Sequence, residues 1–257
     1  MLEVLNSLTV SLMIFVCTFA AAILGMVLHG KLPDSQLTED SKDVIKLVMG
    51  LIATMAALVL GLLIASAKSS YDTQRSEVQQ ASASIVELDT ILAHYGPEAS
   101  ESRQKLREVV AAAAENLWPR GGVLPLRPGP PVKLAESATF YESIANLSPR
   151  TEAQRFIQNR ALATSASVRQ MRPLMLEQMG SSIPWPFLAV LIFWISMLFL
   201  GFGLFARFNA TVVVAFLIGA LSVSSSIFLI LEMNQPYRGL MRLSDAPLRT
   251  ALDQIGQ

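Results

Sequence analysis

Charge is scarce in this chain. Only 16% of its 257 residues are Asp, Glu, Lys or Arg, against roughly 25% in an ordinary soluble domain. Twenty basic residues balance twenty acidic ones, and no Lys/Arg-rich run occurs, so nothing draws the protein to nucleic acid. Cysteine is limited to Cys17, which excludes an intramolecular disulfide and a cysteine zinc site and leaves a small apolar side chain expected to pack. Histidine is limited to His29 and His94, far apart in the chain. The first follows an apolar run and reads as an interfacial residue, the second as a solvated or helix-capping one. No HExxH, Walker loop or GxSxG sequence is present, which removes the commonest hydrolase and nucleotide-binding chemistries. Neither enzyme activity nor a cofactor nor a metal centre is expected.

What the chain has is apolar surface, 52% of its residues, gathered into four blocks: Val4–Leu28, Val44–Ala67, Ile183–Ala206 and Ala210–Leu231. Each supplies the roughly 20 apolar residues that cross about 30 Å of hydrocarbon as a helix. A buried soluble helix of this length would carry a polar stripe, and these carry none. The first block also has a small-x-small pattern at Ala20 and Ala22, as a signal peptide would. Its preceding residues carry Glu3 and no Lys or Arg, which argues against cleavage. Pro184, Trp185 and Pro186 suit the first turn and the interfacial belt of the third span. Only Arg207, Phe208 and Asn209 separate the third and fourth spans, so a tight helical hairpin is expected.

Four spans put both termini and the 68–182 segment on one side. Near the span ends that side carries Lys68, Arg75, Arg169, Arg172, Arg238, Arg242 and Arg249, while the other carries Lys31, Lys42 and Arg207. The bias toward basic residues inside places both termini and the central segment in the cytoplasm of an inner (plasma) membrane protein. The expected organisation is spans one and two within 1–67, a helical cytoplasmic domain over 68–182, spans three and four within 183–231, and a cytoplasmic tail over 232–257.

No proline and no turn cluster interrupts Val44 to Tyr95. Beyond the membrane, Tyr71, Val78, Ala81, Ile85, Leu88, Leu92 and Tyr95 recur at three-four spacing, a coiled-coil-like seam with Gln74 as its one polar member. The second span is therefore expected to continue as one helix of roughly 75 Å at 1.5 Å per residue, stopped by Gly96-Pro97. The seam residues Val78, Ile85, Leu88 and Leu92 are candidates for an oligomer contact. Further helices are expected at about 97–118, with Leu106, Val109, Val110, Ala113 and Leu117 inward, and at about 135–147, with Phe140, Ile144 and Leu147 inward. A Gly/Pro-rich loop separates them at 119–131. Ser148-Pro149 reads as the start of a last long helix with Phe156, Ile157, Ala161, Val168 and Met171 as its apolar stripe, kinked or ended at Pro173. No period-two alternation survives, so the fold is all-α.

Within the second span Ala53, Ala57, Gly61, Ala65 and Ser69 fall at four-residue steps, a ridge that lets helix backbones approach closely. It serves either packing inside the subunit or a pore-facing and subunit-facing surface around a symmetry axis. The fourth span shows Ala215, Gly219, Ser222 and Ser226 on one face, with Ser224 and Ser225 beside it. These hydroxyls either bond back to the preceding turn and to neighbouring helices or line an ion path. Charges at the membrane edge are costly and thus informative: Lys46, near Asp43, opens the second span, and Glu232 closes the fourth ahead of Arg238 and Arg242. Snorkelling and local pairing account for both, while rings of them in an oligomer would tune ion selectivity.

Two stretches, GLIATMAALVLGLLIASAKSSYD (Gly50 to Asp72) and LILEMNQPYRGLMRLSDAPLRTAL (Leu229 to Leu252), resemble the bacterial bestrophin-like membrane proteins. HGKLPDSQLTEDSKD (His29 to Asp43) and the Pro-x-x-Gly at Pro236 and Gly239 fit the same family. The resemblance implies kinship to bestrophins, pentameric anion channels whose neck is lined by the second span. This chain has no phenylalanine-rich neck and no counterpart of the calcium-binding acidic cluster. Anion selectivity and calcium gating are therefore not implied, whereas an oligomer in the bilayer around second-span helices is. The expected function is an oligomeric ion channel or pore. The alternative is a non-conducting membrane scaffold or sensor that binds a partner through its cytoplasmic helices.

Overall fold

A computed structural model describes residues 7–31, 39–118, 134–178, 185–235, 237 and 240–256. These residues form α1 Ser7–His29, α2 Glu39–Tyr95, a 3₁₀ turn Pro97–Ala99, α3 Ser100–Leu117, α4 Leu134–Ala145, α5 Glu152–Gln178, α6 Trp185–Phe205, α7 Ala210–Met233 and α8 Ala246–Gln254. No strand occurs among them. Four of the helices, α1, α2, α6 and α7, are long and apolar enough to cross a membrane. The Gly/Pro-rich 119–131 segment, Pro236 and Gly239 lie outside the described residues.

The chain divides into two compact units, one of residues 1–71 and 182–235, the other of residues 72–181 and 236–257. In the first unit, α1 packs on α6 and α7. The contact face of α1 is made of Ser7, Ser11, Ile14, Thr18, Ala22, Gly25 and Met26, all buried. Six of these seven recur at steps of three or four, the helical repeat. Their small size has a geometric consequence at the α1–α6 crossing. A Cβ built on Gly25 would stand 2.1 Å from the Leu200 carbonyl oxygen, and one on Gly203 would stand 2.2 Å from that of Ala22. Only glycine fits at either position. In lipid there is no hydrophobic gain from bringing helices together, so close backbone packing of this kind carries the association.

One side of α2 joins that bundle. Met49, Ala56, Leu63 and Ala67 are buried against Leu191, Ile195 and Leu198 of α6 and Ile230 of α7. The α6–α7 hairpin is as tight as expected, and Asn209 starts α7 by accepting a hydrogen bond from the Thr211 backbone N–H at 3.3 Å. Cys17 does not pack inside the chain but sits on its exposed face, its Sγ 3.7 Å from Ser196 Oγ.

In the second unit α2 runs without interruption to Tyr95. Gly96 then takes φ 124°, a left-handed conformation that favours glycine, and Pro97 opens the 3₁₀ turn. Leu88 and Leu92 are completely buried, as is Ile144 of α4, each contributing about 1.5–3 kcal/mol in water-exposed protein. Asp89 of α2 accepts two hydrogen bonds from Arg103 of α3, Nε and Nη2 both at 2.8 Å, and a third from the Gly256 N–H at 3.3 Å. The hydrogen bond to Asp89 holds the Arg103 pKa above its usual value. Arg107 of α3 donates to the Ile255 carbonyl at 3.0 Å, which fastens the chain end to the same pair of helices.

The last long helix departs from the sequence expectation at its cap and in its apolar stripe, and of the two alternatives at Pro173 it excludes the end. Its cap is Thr151 rather than Ser148: Thr151 Oγ1 accepts from the Gln154 N–H and Gln154 Oε1 accepts from the Arg150 N–H, a near capping box that a Thr-x-x-Gln spacing provides. The helix continues past Pro173 to Gln178. Phe156 is 69% exposed, and the buried place falls to Gln158, whose amide donates to the carbonyls of Ile144, Ala145 and Leu147. The Ile144 carbonyl also accepts from the Leu147 N–H at 3.2 Å, and the Gln158 amide adds to it a side-chain cap on the end of α4.

Candidate functional site

The two small-residue stripes of the first unit have opposite fates. That of α1 is consumed by α6 and α7. That of α2 is turned away from the bundle: Ala53 is partly buried, whereas Ala57, Gly61, Ala65 and Ser69 are exposed. A Cβ on Gly50 or Gly61 would meet nothing within 4 Å. Beside this strip run Leu47, Leu51, Leu58 and Leu62, each more than 60% exposed. The helix thus buries one face in its own chain and presents a strip of small side chains flanked by leucines on the other.

The edge charges separate in the same way. Lys46 is exposed and paired with Asp43 at 3.0 Å across one turn. Glu232 is only 2% exposed and accepts a hydrogen bond from Ser7 Oγ, a contact that joins the end of α7 to the start of α1. Arg238 lies outside the described residues. The polar face of α7 splits too. Ser222 is exposed and Ser226 partly buried, and their hydroxyls donate to the carbonyls of Ile218 and Ser222 one turn back. Ser225 does the same to Leu221. Ser224 points inward and donates to the Ser11 carbonyl of α1 at 2.5 Å. Gly219 is partly buried, with Phe199 of α6 3.3 Å from where its Cβ would be.

The seam requires a correction. Val78, Ile85, Leu88 and Leu92 are each 5% exposed or less within a single chain. They belong to an internal core, which leaves these four side chains little surface to offer a second subunit. His94 is exposed, its Nδ1 bonded to the Thr90 carbonyl. His29 Nδ1 donates to the Leu204 carbonyl at 2.8 Å, closing the end of α6. Among the described residues no three His, Cys, Asp or Glu gather as a metal set would.

What the sequence did not single out are the Gly25–Gly203 crossing and the Ser7–Ser11–Ser224 contacts. Their signal was present, as small residues at 7, 11, 18, 22 and 25 of the first span.

These features define an all-α membrane protein with four apolar spanning helices, the second extending far beyond the span. The Bestrophin-like domain model matches residues 16–248, and the chain belongs to that family. No curated protein matches it. Among solved structures, a mutant form of a bacterial bestrophin homologue from Klebsiella pneumoniae aligns at TM-score 0.68 and 15% identity, covering 95% of this chain and 98% of that one. A second mutant form of the same homologue aligns at TM-score 0.65 and 13% identity, over 96% and 99%. At such identities the likeness establishes the fold.

Proposed function

We propose that the chain assembles as a homo-oligomeric ion channel in the inner membrane, with α2 around the axis and the helical second unit and both termini in the cytoplasm. The observation that carries this reading is the exposure of Ala57, Gly61 and Ala65 on a face that has no partner helix in its own bundle. Facing lipid, small side chains offer little contact; around an axis they leave room for a passage or for a neighbouring backbone. Family membership supports the assembly, with a pentamer and anion conduction as the analogy to bestrophins. A scaffold that docks a partner through the cytoplasmic seam is less favoured, because that seam is already buried.

Purified protein in liposomes should pass ions, and Gly61→Leu should reduce the flux at least several-fold while leaving the oligomer intact on size exclusion. Liposomes that show no flux of chloride, sodium or potassium from intact protein would sink the channel reading.

A further inference from the structure

In the second unit, the turn after α2, the first turns of α3 and the end of α4 line a cleft of about 440 Å³, within the roughly 300–1,000 Å³ of small-molecule sites. Glu98, Glu101, Ser102 and Lys105 come from the α3 side, Glu142 and Arg150 from α4 and its link to α5. Leu147 is the one apolar lining residue, so a lipid tail or other apolar guest would gain little there. Glu101 and Lys105 are paired at 2.7 Å across one turn and balance each other. Among the described residues no ion pair engages Glu98, Glu142 or the Arg150 guanidinium, and the carboxylates do not gather as a metal set. Ser102 is 1% exposed yet belongs to the lining, and its hydroxyl makes no hydrogen bond among the described residues.

The cleft adjoins the end of α2. Gln154 donates to the Tyr95 carbonyl at 3.2 Å and accepts from the Arg150 N–H at 2.8 Å. The Glu98 carboxylate folds back over Gly96, with Oε2 2.8 Å from where a Cβ would stand. Tyr95 is 3% exposed, and its hydroxyl has no partner in the chain. Burial, and then the negative charge of Glu98, push that phenol up, while Arg150 opposes them. Buried hydroxyls are almost always satisfied by protein, water or a bound molecule, which supports a polar guest at this end of α2.

We propose that the cleft binds a free amino acid with a cationic side chain, of the lysine or arginine class. Arg150 supplies the planar fork that suits an α-carboxylate. Glu98 and Glu142 supply one carboxylate each for the α-ammonium and the side-chain cation, and the Ser102 hydroxyl can donate or accept. An inorganic anion would face two like charges, and a diamine would leave Arg150 unmatched. Each exposed charge pair is weak alone, so affinity rests on matching all three. Binding here does not require that the chain conduct ions.

The test is calorimetric titration of the purified full-length protein with L-lysine and with cadaverine, which is lysine without its carboxylate. The expected result is saturable L-lysine binding with a Kd of about 1 mM or tighter, and cadaverine weaker by at least about fivefold. Glu142→Gln should weaken L-lysine at least about fivefold, and Arg150→Gln should bring L-lysine down to the affinity of cadaverine. Both side chains are exposed, so melting temperature should report both variants as folded, and either one serves alone. No saturable binding of L-lysine or L-arginine up to about 20 mM overturns the proposal. So does cadaverine binding as tight as L-lysine, or L-lysine binding undiminished in the folded variants.

Discussion

The two glycine environments of the first unit make a sharp prediction, because the same substitution should have opposite consequences in the two. In Gly203→Ala the new methyl carbon would stand 2.2 Å from the Ala22 carbonyl oxygen and 3.1 Å from the Met26 nitrogen. Carbon and oxygen normally approach no closer than about 3.3 Å, so the helices must part by roughly 1 Å. Both clashing atoms are backbone, and no rotamer change relieves them. A gap of that size forfeits about a quarter to a half of each dispersion contact along the crossing. Overpacking of this kind costs about 1–3 kcal/mol, and a backbone-to-backbone clash belongs at the upper end. With about 2–4 °C lost per kcal/mol in a chain of this size, Gly203→Ala should melt about 6–12 °C below the wild type, and Gly25→Ala similarly. Gly61→Ala meets nothing within 4 Å and should stay within about 0.5 kcal/mol of the wild-type subunit, the range of substitutions that touch no packed feature. The assay is thermal unfolding in a detergent that keeps each variant monodisperse. Equal melting of Gly203→Ala and wild type would refute the crossing geometry.

Other consequences concern the second unit. Asp89→Ala leaves the Arg103 guanidinium, only 21% exposed, without its two hydrogen bonds, and should cost about 2–3 kcal/mol in urea unfolding; the Asp89→Ala/Arg103→Met double variant should recover part of that loss. Gln158→Leu removes the amide that caps the Ala145 and Leu147 carbonyls and should destabilise by about 1–2 kcal/mol, with hydrogen exchange rising first in α4. The Tyr237 phenol, raised from 10.0 to about 12, is held protonated in the folded state. Stability linked to it is complete below pH 10 and falls as pH rises from 10 to about 12, because the unfolded chain releases this proton first. Tyr237→Phe should flatten that part of the pH profile, as read from melting curves across the interval.

The four spans were legible because each is a long apolar run with no competing secondary structure. The length of α2 was legible from the absence of any breaker before Gly96. The uses of the small residues were not. Periodicity places Ala57 and Gly61 on a common face, and Ala22 and Gly25 on another, but it does not say which face meets a helix of its own chain. That depends on the pairing of α1 with α6, and the Gly25–Gly203 contact is set by residues far apart in the chain. The same holds for the seam: an apolar stripe on one helix is equally suited to a second subunit and to other helices of its own chain. The Ser7 partner of Glu232 was not legible, because it lies 225 residues earlier in the chain. Phe156 and Gln158 exchanged roles because capping α4 needs an amide where the stripe asked for a hydrocarbon.

The central claim is that the exposed strip of α2 faces a conducting axis, and the single native cysteine makes it directly testable. In a Cys17→Ala background, Gly61→Cys carries the only thiol in the chain. Its ion flux in liposomes is measured before and after a charged, water-soluble thiol reagent. The structure predicts that modification changes the flux at Gly61→Cys, and at Ala57→Cys and Ala65→Cys, but not in the cysteine-free parent. A flux that is unchanged at all three positions after complete labelling would contradict the placement of this strip on the ion path.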